Sequence, residues 1–139
     1  MKHFLVAFLI TLLVVSCKKE ANKATQFRSI GVGMAHNLIL QQDGNSTFTI
    51  LDVRTVDEFN NGHIKGAKNI DYLHYKKKLL NLKKNHTYLI YCASGRRSLL
   101  ASEYMNQFGF TSVFNMSGGI QEWQETFNTL TPSPYNESN

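Results

Sequence analysis

A cysteine stands between two apolar patterns in the stretch LIYCASGRRSLL, residues 89–100. Small residues, a glycine and two adjacent arginines follow this thiol, Cys92. The flanking residues predict a buried strand before Cys92 and a helix after the loop. Such a strand–loop–helix passage gathers backbone N–H groups around one point and adds the positive end of a helix dipole. A sulfur at that point would be stabilised as a thiolate, which is the nucleophilic form of cysteine.

The side chains that follow the thiol allow more than one interpretation. Gly95 permits a tight loop because it has no β-carbon to oppose a positive φ. Ser94 and Ser98 can either hydrogen-bond the sulfur or cap the following helix. Arg96 and Arg97 oppose the helix dipole, at a cost of about 0.3–1 kcal/mol each. Two arginines are favoured there if an anion binds between them and the helix; otherwise they are ordinary surface residues.

The amino-terminal segment has the features of an export signal. Residues 4–15, FLVAFLITLLVV, are apolar apart from one threonine, and this run is shorter than the ~20 residues of a transmembrane helix. It ends in Val-Val-Ser-Cys, with Cys17 last, which resembles the bacterial lipobox. The resemblance implies cleavage before Cys17, a diacylglycerol group on its sulfur and acylation of the new amino group. An ordinary secretory peptide that ends in Ser-Cys is the alternative.

These features predict the organisation and location of the chain. We expect a signal peptide at 1–16, a lipidated Cys17 with its tether at 17–26, a folded domain at 27–130 and a tail at 131–139. The protein would then be exported and held on a bacterial membrane by its lipid, facing the periplasm or the cell exterior.

The chain contains only two cysteines, Cys17 and Cys92. If Cys17 carries lipid, Cys92 is the only free thiol and no intramolecular disulfide can form. Exported proteins usually use their cysteines in disulfides, so an unpaired one suggests a chemical role. A buried, inert cysteine is the alternative.

Length and composition indicate one ordinary globular domain. The chain has 139 residues, of which 12% are aromatic and 18% charged. Its formal net charge is +5 and its pI about 9.3, a balance that could indicate nucleic acid or anionic lipid. No nucleic-acid-binding motif accompanies the charge, so no nucleic-acid partner is expected. The lysine clusters at 76–78 and 83–84 are interpreted as a solvated helix face.

Strand and helix patterns alternate along the predicted domain. Strands are predicted at 27–30, 47–53, 67–70, 87–91 and 112–115. Helices are predicted at 34–41, 55–61, 72–82, 100–108 and from Ile120 to Phe127. The alternation indicates an α/β domain with a central parallel sheet of about five strands and helices on both faces. Cys92 would lie at the carboxyl edge of that sheet, where ligands of such folds bind.

Three motifs in order resemble the signatures of rhodanese-type sulfurtransferases, and together they cover most of residues 27–128. The loop CASGRRS is similar to the family's active-site loop. The stretch LDVRTVDEFNNGHIKGAKNI, residues 51–70, resembles its first signature, and VFNMSGGIQEW, residues 113–123, resembles its closing one. The chain is therefore identified as a single-domain rhodanese-like protein. Lys65 stands where the family often has proline, a difference that affects only a turn.

The resemblance implies covalent catalysis by Cys92 without a cofactor or metal. The thiolate would attack the outer sulfur of a small anionic donor such as thiosulfate, sulfite would leave, and a persulfide would remain on Cys92. Cyanide or a thiol would then accept this sulfur. A monomer is expected. The residues implied to bind the donor are those of the loop, Ala93, Ser94, Gly95, Arg96, Arg97 and Ser98.

Other residues and other functions fit the sequence less well. His63 resembles a structural turn residue more than a catalytic partner of the cysteine, and Asp52 with Arg54 resembles a pair that stabilises the fold. A phosphatase or arsenate reductase of this fold uses a longer loop, with five residues between cysteine and arginine, whereas four separate Cys92 from Arg97. The main alternative is a rhodanese-like module that binds a partner without catalysis, and the phosphatase or arsenate reductase is the lesser one.

Overall fold

The computed structural model describes residues 27–131, which form a parallel five-stranded sheet with the strand order β1-β5-β4-β2-β3. The strands are β1 (Arg28–Ile30), β2 (Phe48–Asp52), β3 (Lys68–Asn69), β4 (Thr87–Tyr91) and β5 (Ser112–Met116). The helices are α1 (Val32–Gln41), α2 (Val56–Asn60), α3 (Tyr75–Leu80), α4 (Arg96–Gln107) and α5 (Gly119–Phe127), with a 3₁₀ turn at Tyr72–His74 before α3. The predicted parallel α/β architecture is confirmed.

The central strand β4 shows why the sheet is covered on both faces. Tyr88, Ile90 and Cys92 pack into a core cluster with residues of α3 and α4. Leu89 and Tyr91 point the other way, into a cluster with residues of α1 and α5. Side chains alternate between the two faces of a strand, so an unbroken apolar run fits only a strand that is buried on both sides. Each fully buried aliphatic side chain contributes about 1.5–3 kcal/mol.

Helix α2 begins with the capping box predicted at Thr55 and Glu58. The Glu58 N–H donates to the Thr55 hydroxyl over 3.2 Å, and the Thr55 N–H donates to the Glu58 carboxylate over 3.0 Å. This reciprocal arrangement satisfies two backbone donors that a helix start otherwise leaves without partners.

The predicted helix at 72–82 differs in its first and last turns. Asp71 accepts a hydrogen bond from the Leu73 N–H over 2.8 Å, which favours a tight 3₁₀ turn before the α-helical residues. The α-helix then covers only Tyr75–Leu80 and ends before Asn81. Tyr75 and Leu79 are its buried residues, and its other side chains are exposed.

The end of β2 is held by a buried ion pair between Asp52 and Arg54, as the sequence predicts. One Arg54 nitrogen lies 2.6 Å from the Asp52 carboxylate and 2.7 Å from the Gly62 carbonyl oxygen. Asn69 on β3 donates to the backbone carbonyls of Asp52 and Arg54. The polar residues of the first signature therefore tie the β2–α2 turn to the edge strand β3.

The expected signal peptide, the Cys17 lipobox and the tether lie outside the described residues, as does all of the expected tail except Thr131. Thr131 and His63 exchange two backbone hydrogen bonds, of 2.8 and 3.1 Å. None of the helices in residues 27–131 is long and apolar enough to cross a membrane.

Candidate active site

The Cys92 sulfur lies at the centre of the loop that joins β4 to α4. The side chain is buried, with 1% of the residue exposed. The Gly95 N–H donates to the sulfur over 3.2 Å, and the Ser98 hydroxyl lies 3.6 Å from it. The backbone therefore turns back around Sγ, as the strand–loop–helix pattern predicts.

The loop stabilises the charged form of this cysteine. Burial alone raises the pKa of the Cys92 thiol, because it removes water from around the thiolate. Hydrogen bonds from the Ser98 hydroxyl and from the backbone N–H groups of Ser98, Ser94 and Gly95 act in the opposite direction and outweigh it. The pKa of Cys92 is consequently lower than its ordinary value, which favours a nucleophile.

Two glycines allow the Cys92 loop and the loop after β5 to approach each other. Gly95 has a φ of +90° and Gly119 a φ of +63°, both in the left-handed region. A β-carbon on Gly95 would overlap the Ser117 carbonyl oxygen, and one on Gly119 would overlap the Ala93 carbonyl oxygen. Residues 113–123, the closing signature of the sequence, therefore pack directly against the Cys92 loop.

Helix α5 is tied to the same loop through its first backbone groups. The Ile120 N–H donates to the Cys92 carbonyl oxygen over 2.8 Å, and the Gln121 N–H donates to the Ala93 carbonyl oxygen over 3.1 Å. These bonds satisfy donors that a helix start leaves free and fix the direction of the chain at the cysteine.

Arg97 has a partner that the sequence analysis did not identify. Its guanidinium, on α4, donates to both carboxylate oxygens of Glu58, on α2, over 2.6 and 2.7 Å. The hydrogen bond with Arg97 lowers the pKa of Glu58 to about 2. Glu58 in turn raises the pKa of Arg97, and a thiolate at Cys92 acts in the same direction. The sequence carries only a weak signal for this pair. Glu58 is an acid in the first signature, and the loop after Cys92 is cationic.

The other predicted loop residues are placed as follows. Ser94 and Arg96 are exposed, Ala93 is half-buried, and Ser98 is buried. Gly95 occupies the N-cap position of α4, and no side chain caps that helix. The Ser98 hydroxyl lies 3.0 Å from the Gly95 carbonyl oxygen as well as near the sulfur. Of the two roles considered for the serines, helix capping is therefore wrong for both.

His63 lies in the turn between α2 and β3 and makes local contacts. Its Nδ1 is 3.0 Å from the Phe59 carbonyl oxygen, and its ring stacks on the Phe59 ring with centroids 3.9 Å apart. These contacts fit the predicted turn role. Within residues 27–131, no group of three or more His, Cys, Asp or Glu side chains could hold a metal ion.

The fold and the site together define a parallel α/β domain with a buried cysteine of lowered pKa at the carboxyl edge of its sheet. Residues 35–126 match the family of rhodanese-like domains. The chain belongs to the rhodanese-like domain family.

The chain is similar to proteins of several organisms. It is 28% identical over 103 residues to thiosulfate sulfurtransferase GlpE of Stutzerimonas stutzeri, which covers 74% of this chain and 90% of that protein. It is 36% identical over 81 residues to YrkF of Bacillus subtilis, which covers 58% of this chain and 44% of YrkF. The crystal structure of a rhodanese-like domain protein from Staphylococcus aureus shares 31% identity, has a TM-score of 0.65, and covers 76% of this chain and 98% of that one.

This chain covers a different fraction of the length of each relative. It covers about half the length of the two Bacillus subtilis relatives, 44% of YrkF and 59% of YqhL. Membership of the family supports a sulfurtransferase or a related role for the domain.

Proposed function

We propose that the protein is a sulfurtransferase that moves sulfane sulfur through a persulfide on Cys92. The observation that carries the proposal is the geometry of the loop, with the Gly95 N–H 3.2 Å and the Ser98 hydroxyl 3.6 Å from a buried sulfur. These donors favour the thiolate without a neighbouring base, so the nucleophile is ready before a donor arrives.

The first step loads the enzyme. The Cys92 thiolate attacks the outer sulfur of thiosulfate and forms a new S–S bond. The original S–S bond of the donor breaks, and its electron pair leaves with sulfite. No proton has to move, and the negative charge on the terminal sulfur of the persulfide replaces that of the thiolate at the same loop.

The second step returns the enzyme to its starting state. Cyanide or a thiolate attacks the terminal sulfur of the persulfide, a bond forms to that sulfur, and the S–S bond to Cys92 breaks. The electron pair returns to the Cys92 sulfur, which becomes a thiolate again. Two half-reactions through one covalent intermediate give ping-pong kinetics.

The charges around the site suggest separate roles for its arginines. Arg54 is buried and paired with Asp52, and Arg97 is paired with Glu58. Arg96 is exposed and forms no salt bridge with a described residue. Arg96 is thus the cation of the loop that is available to attract an anionic donor.

The test is an intact mass measurement after thiosulfate treatment of the full chain. A Cys17→Ser variant keeps Cys92 as its only thiol. We expect one added sulfur, about 32 mass units, on the Cys92 peptide, its removal by cyanide, and thiocyanate as the product. Cys92→Ser in the same background should show neither step. If no sulfane donor produces the adduct, the sulfurtransferase proposal is wrong.

That failure would leave the main alternative, a rhodanese-like module that binds a partner without catalysis. Partner binding that is unchanged by Cys92→Ser would then support such a module.

We also propose that Cys17 carries a lipid that anchors the exported protein to a membrane. The proposal rests on the Val-Val-Ser-Cys sequence after the apolar run. Two or more acyl chains hold a protein stably, since each buried methylene contributes about 0.8 kcal/mol. Cys17→Ser should release the protein from the membrane fraction or block its processing. Unchanged fractionation with lipid would contradict the anchor.

A further inference from the structure

The charges of the domain are distributed very unevenly along the chain. All seven lysines of residues 27–131 fall within positions 65–84, and Asp71 is the only acid there, so this segment has a formal charge of +6. The rest of the described chain has four arginines and seven acids, a formal charge of −3. A domain of modest net charge therefore has one strongly basic part.

Five of the seven lysines lie on α3 and in the turn that follows it, within residues 76–84. The segment includes the edge strand β3, the 3₁₀ turn, and α3, which packs beside α4. All seven lysines are exposed. None of them forms a salt bridge with an acid of residues 27–131. The surface of α3 and of the turn after it is called the lysine flank, and its members are Lys76, Lys77, Lys78, Lys83 and Lys84. Lys65 lies elsewhere, in a cavity that Ile39 and Trp123 also line.

Exposed leucines lie among these lysines. Leu73 is 73% exposed, and Leu80, at the end of α3, is 41% exposed. Leu73 and Lys76–Lys78 also line a shallow cavity of about 590 Å³. Lysines that surround exposed leucines are typical of segments that lie on anionic membranes, because the cations bind phosphate headgroups while the apolar side chains enter the acyl boundary.

We propose that the lysine flank docks on the anionic headgroups of a lipid bilayer. Its five charges lie along a helix and the turn that follows it, which suits an extended charged surface better than a small ligand. Each lysine that reaches such a surface changes the ratio of docked to undocked protein by about fivefold. The attraction acts within a Debye length, about 8 Å at physiological salt.

The length of the chain before the domain is compatible with this contact. Ten peptide units separate the expected lipid site, Cys17, from Phe27, a reach of at most about 35 Å. The tether joins the sheet at the edge strand β1, whereas α3 and the turn after it precede the central strand β4. The whole sheet is four strand spacings wide, about 19 Å, so the tether is long enough for the flank to reach the same bilayer.

Docking through the flank would leave the candidate active site accessible. Cys92 follows the central strand β4 at the carboxyl edge of the sheet, whereas the flank ends near its amino edge, where the Thr111 N–H donates to the Lys84 carbonyl oxygen. A small donor could then approach Cys92 along the membrane surface. This inference does not depend on the chemistry proposed for Cys92.

The test uses the full-length chain reconstituted into vesicles of phosphatidylcholine alone or with one third phosphatidylglycerol. Amide hydrogen exchange is followed in the peptides that cover residues 72–84. We expect protection of these peptides on the vesicles with phosphatidylglycerol, little on phosphatidylcholine, and its loss in high salt.

Two variants with the same change in charge isolate the flank. Lys76→Gln, Lys77→Gln and Lys78→Gln together remove three positive charges from it and should abolish the protection. Arg28→Gln, Gln124→Glu and Thr126→Glu make the same net change at exposed positions elsewhere and should retain it. Far-UV circular dichroism and thermal unfolding report that both variants are folded.

Three outcomes would overturn the proposal. These are equal exchange on both kinds of vesicle, protection that persists in the triple glutamine variant, and protection that appears only when an acidic protein is added. The last outcome would identify the flank as a protein-binding surface instead.

Discussion

The guanidinium of Arg97 and the carboxylate of Glu58 form a bidentate pair, with hydrogen bonds of 2.6 and 2.7 Å, across 39 positions of the chain. Glu58 simultaneously accepts a hydrogen bond from the Thr55 N–H at the start of α2. Arg97 lies in the first turn of α4, next to the Cys92 loop. The pair therefore connects the capping box of one helix to the start of the helix that carries the nucleophile loop.

Glu58→Gln should remove a stabilisation that depends on pH. The pKa of Glu58 is lowered from 4.5 to about 2 in the folded protein. A lowered pKa stabilises the fold fully above the unfolded value, and this contribution is lost as the pH falls through the folded one. Because the Glu58 side chain is 35% exposed, solvent reduces the effect to about 1 kcal/mol.

The measurement is denaturant unfolding of the wild type and Glu58→Gln at several pH values. The difference between their free energies of unfolding should be largest near pH 6 and should shrink as the pH falls from 4.5 towards 2. Glu125→Gln, at an exposed position of α5, is the control and should show no such trend. A difference that is constant with pH would mean that Glu58 stabilises the fold by shape alone.

Ser98→Ala should raise the pKa of Cys92, and Ser94→Ala should not. The Ser98 hydroxyl is the strongest of the groups that lower this pKa, whereas Ser94 acts through its backbone N–H, which alanine retains. At neutral pH the Ser98 variant should therefore react more slowly with an alkylating agent. The measurement is the alkylation rate as a function of pH. Identical profiles in the two variants would exclude the hydroxyl as a thiolate donor.

Gly119→Ala should disrupt the site much more than Gly109→Ala. Both glycines have a positive φ, +63° and +82°, so alanine is strained at either position by about 1 kcal/mol. Only at Gly119 would the new β-carbon also overlap backbone atoms of Ala93 and Ser94, whereas the space beside Gly109 is open.

Thermal unfolding and sulfur transfer together check this prediction. Gly119→Ala should cost several kcal/mol and most of the activity, while Gly109→Ala should lose only the strain energy and keep its activity. Equal behaviour would show that the contact between the loops is not required.

Arg96→Ala and Arg97→Ala should differ in kind. Arg96 is exposed, so its loss should raise KM for thiosulfate several-fold, leave the free energy of unfolding within about 0.5 kcal/mol, and remove much of the salt dependence. Arg97 is paired with Glu58, so its loss should lower stability by about 1 kcal/mol and also reduce kcat. Steady-state kinetics at two salt concentrations, with unfolding curves, distinguish the two. If both variants change only KM, the Glu58 pair has no positioning role.

The sequence by itself determined the order of the elements and the place of the nucleophile. The run TYLIY predicts β4 at its exact bounds, because only a strand covered on both faces buries four successive residues such as Tyr88–Tyr91. The spacing of Thr55 and Glu58 predicts the start of α2, since the capping box is a contact within one helical turn. Local patterns of this kind are readable because their partners are neighbours in the chain.

Only the tertiary structure decided the contacts between distant segments. Glu58 reaches Arg97 and Gly119 supports Ala93 because the sheet order β1-β5-β4-β2-β3 brings the ends of β2, β4 and β5 together. The lysine flank likewise appeared in the sequence as two separate clusters, and the structure places one on α3 and the other in the turn that follows it. Periodicity carries no information on such pairings, because packing of the sheet and its helices, rather than any local propensity, sets which loops meet.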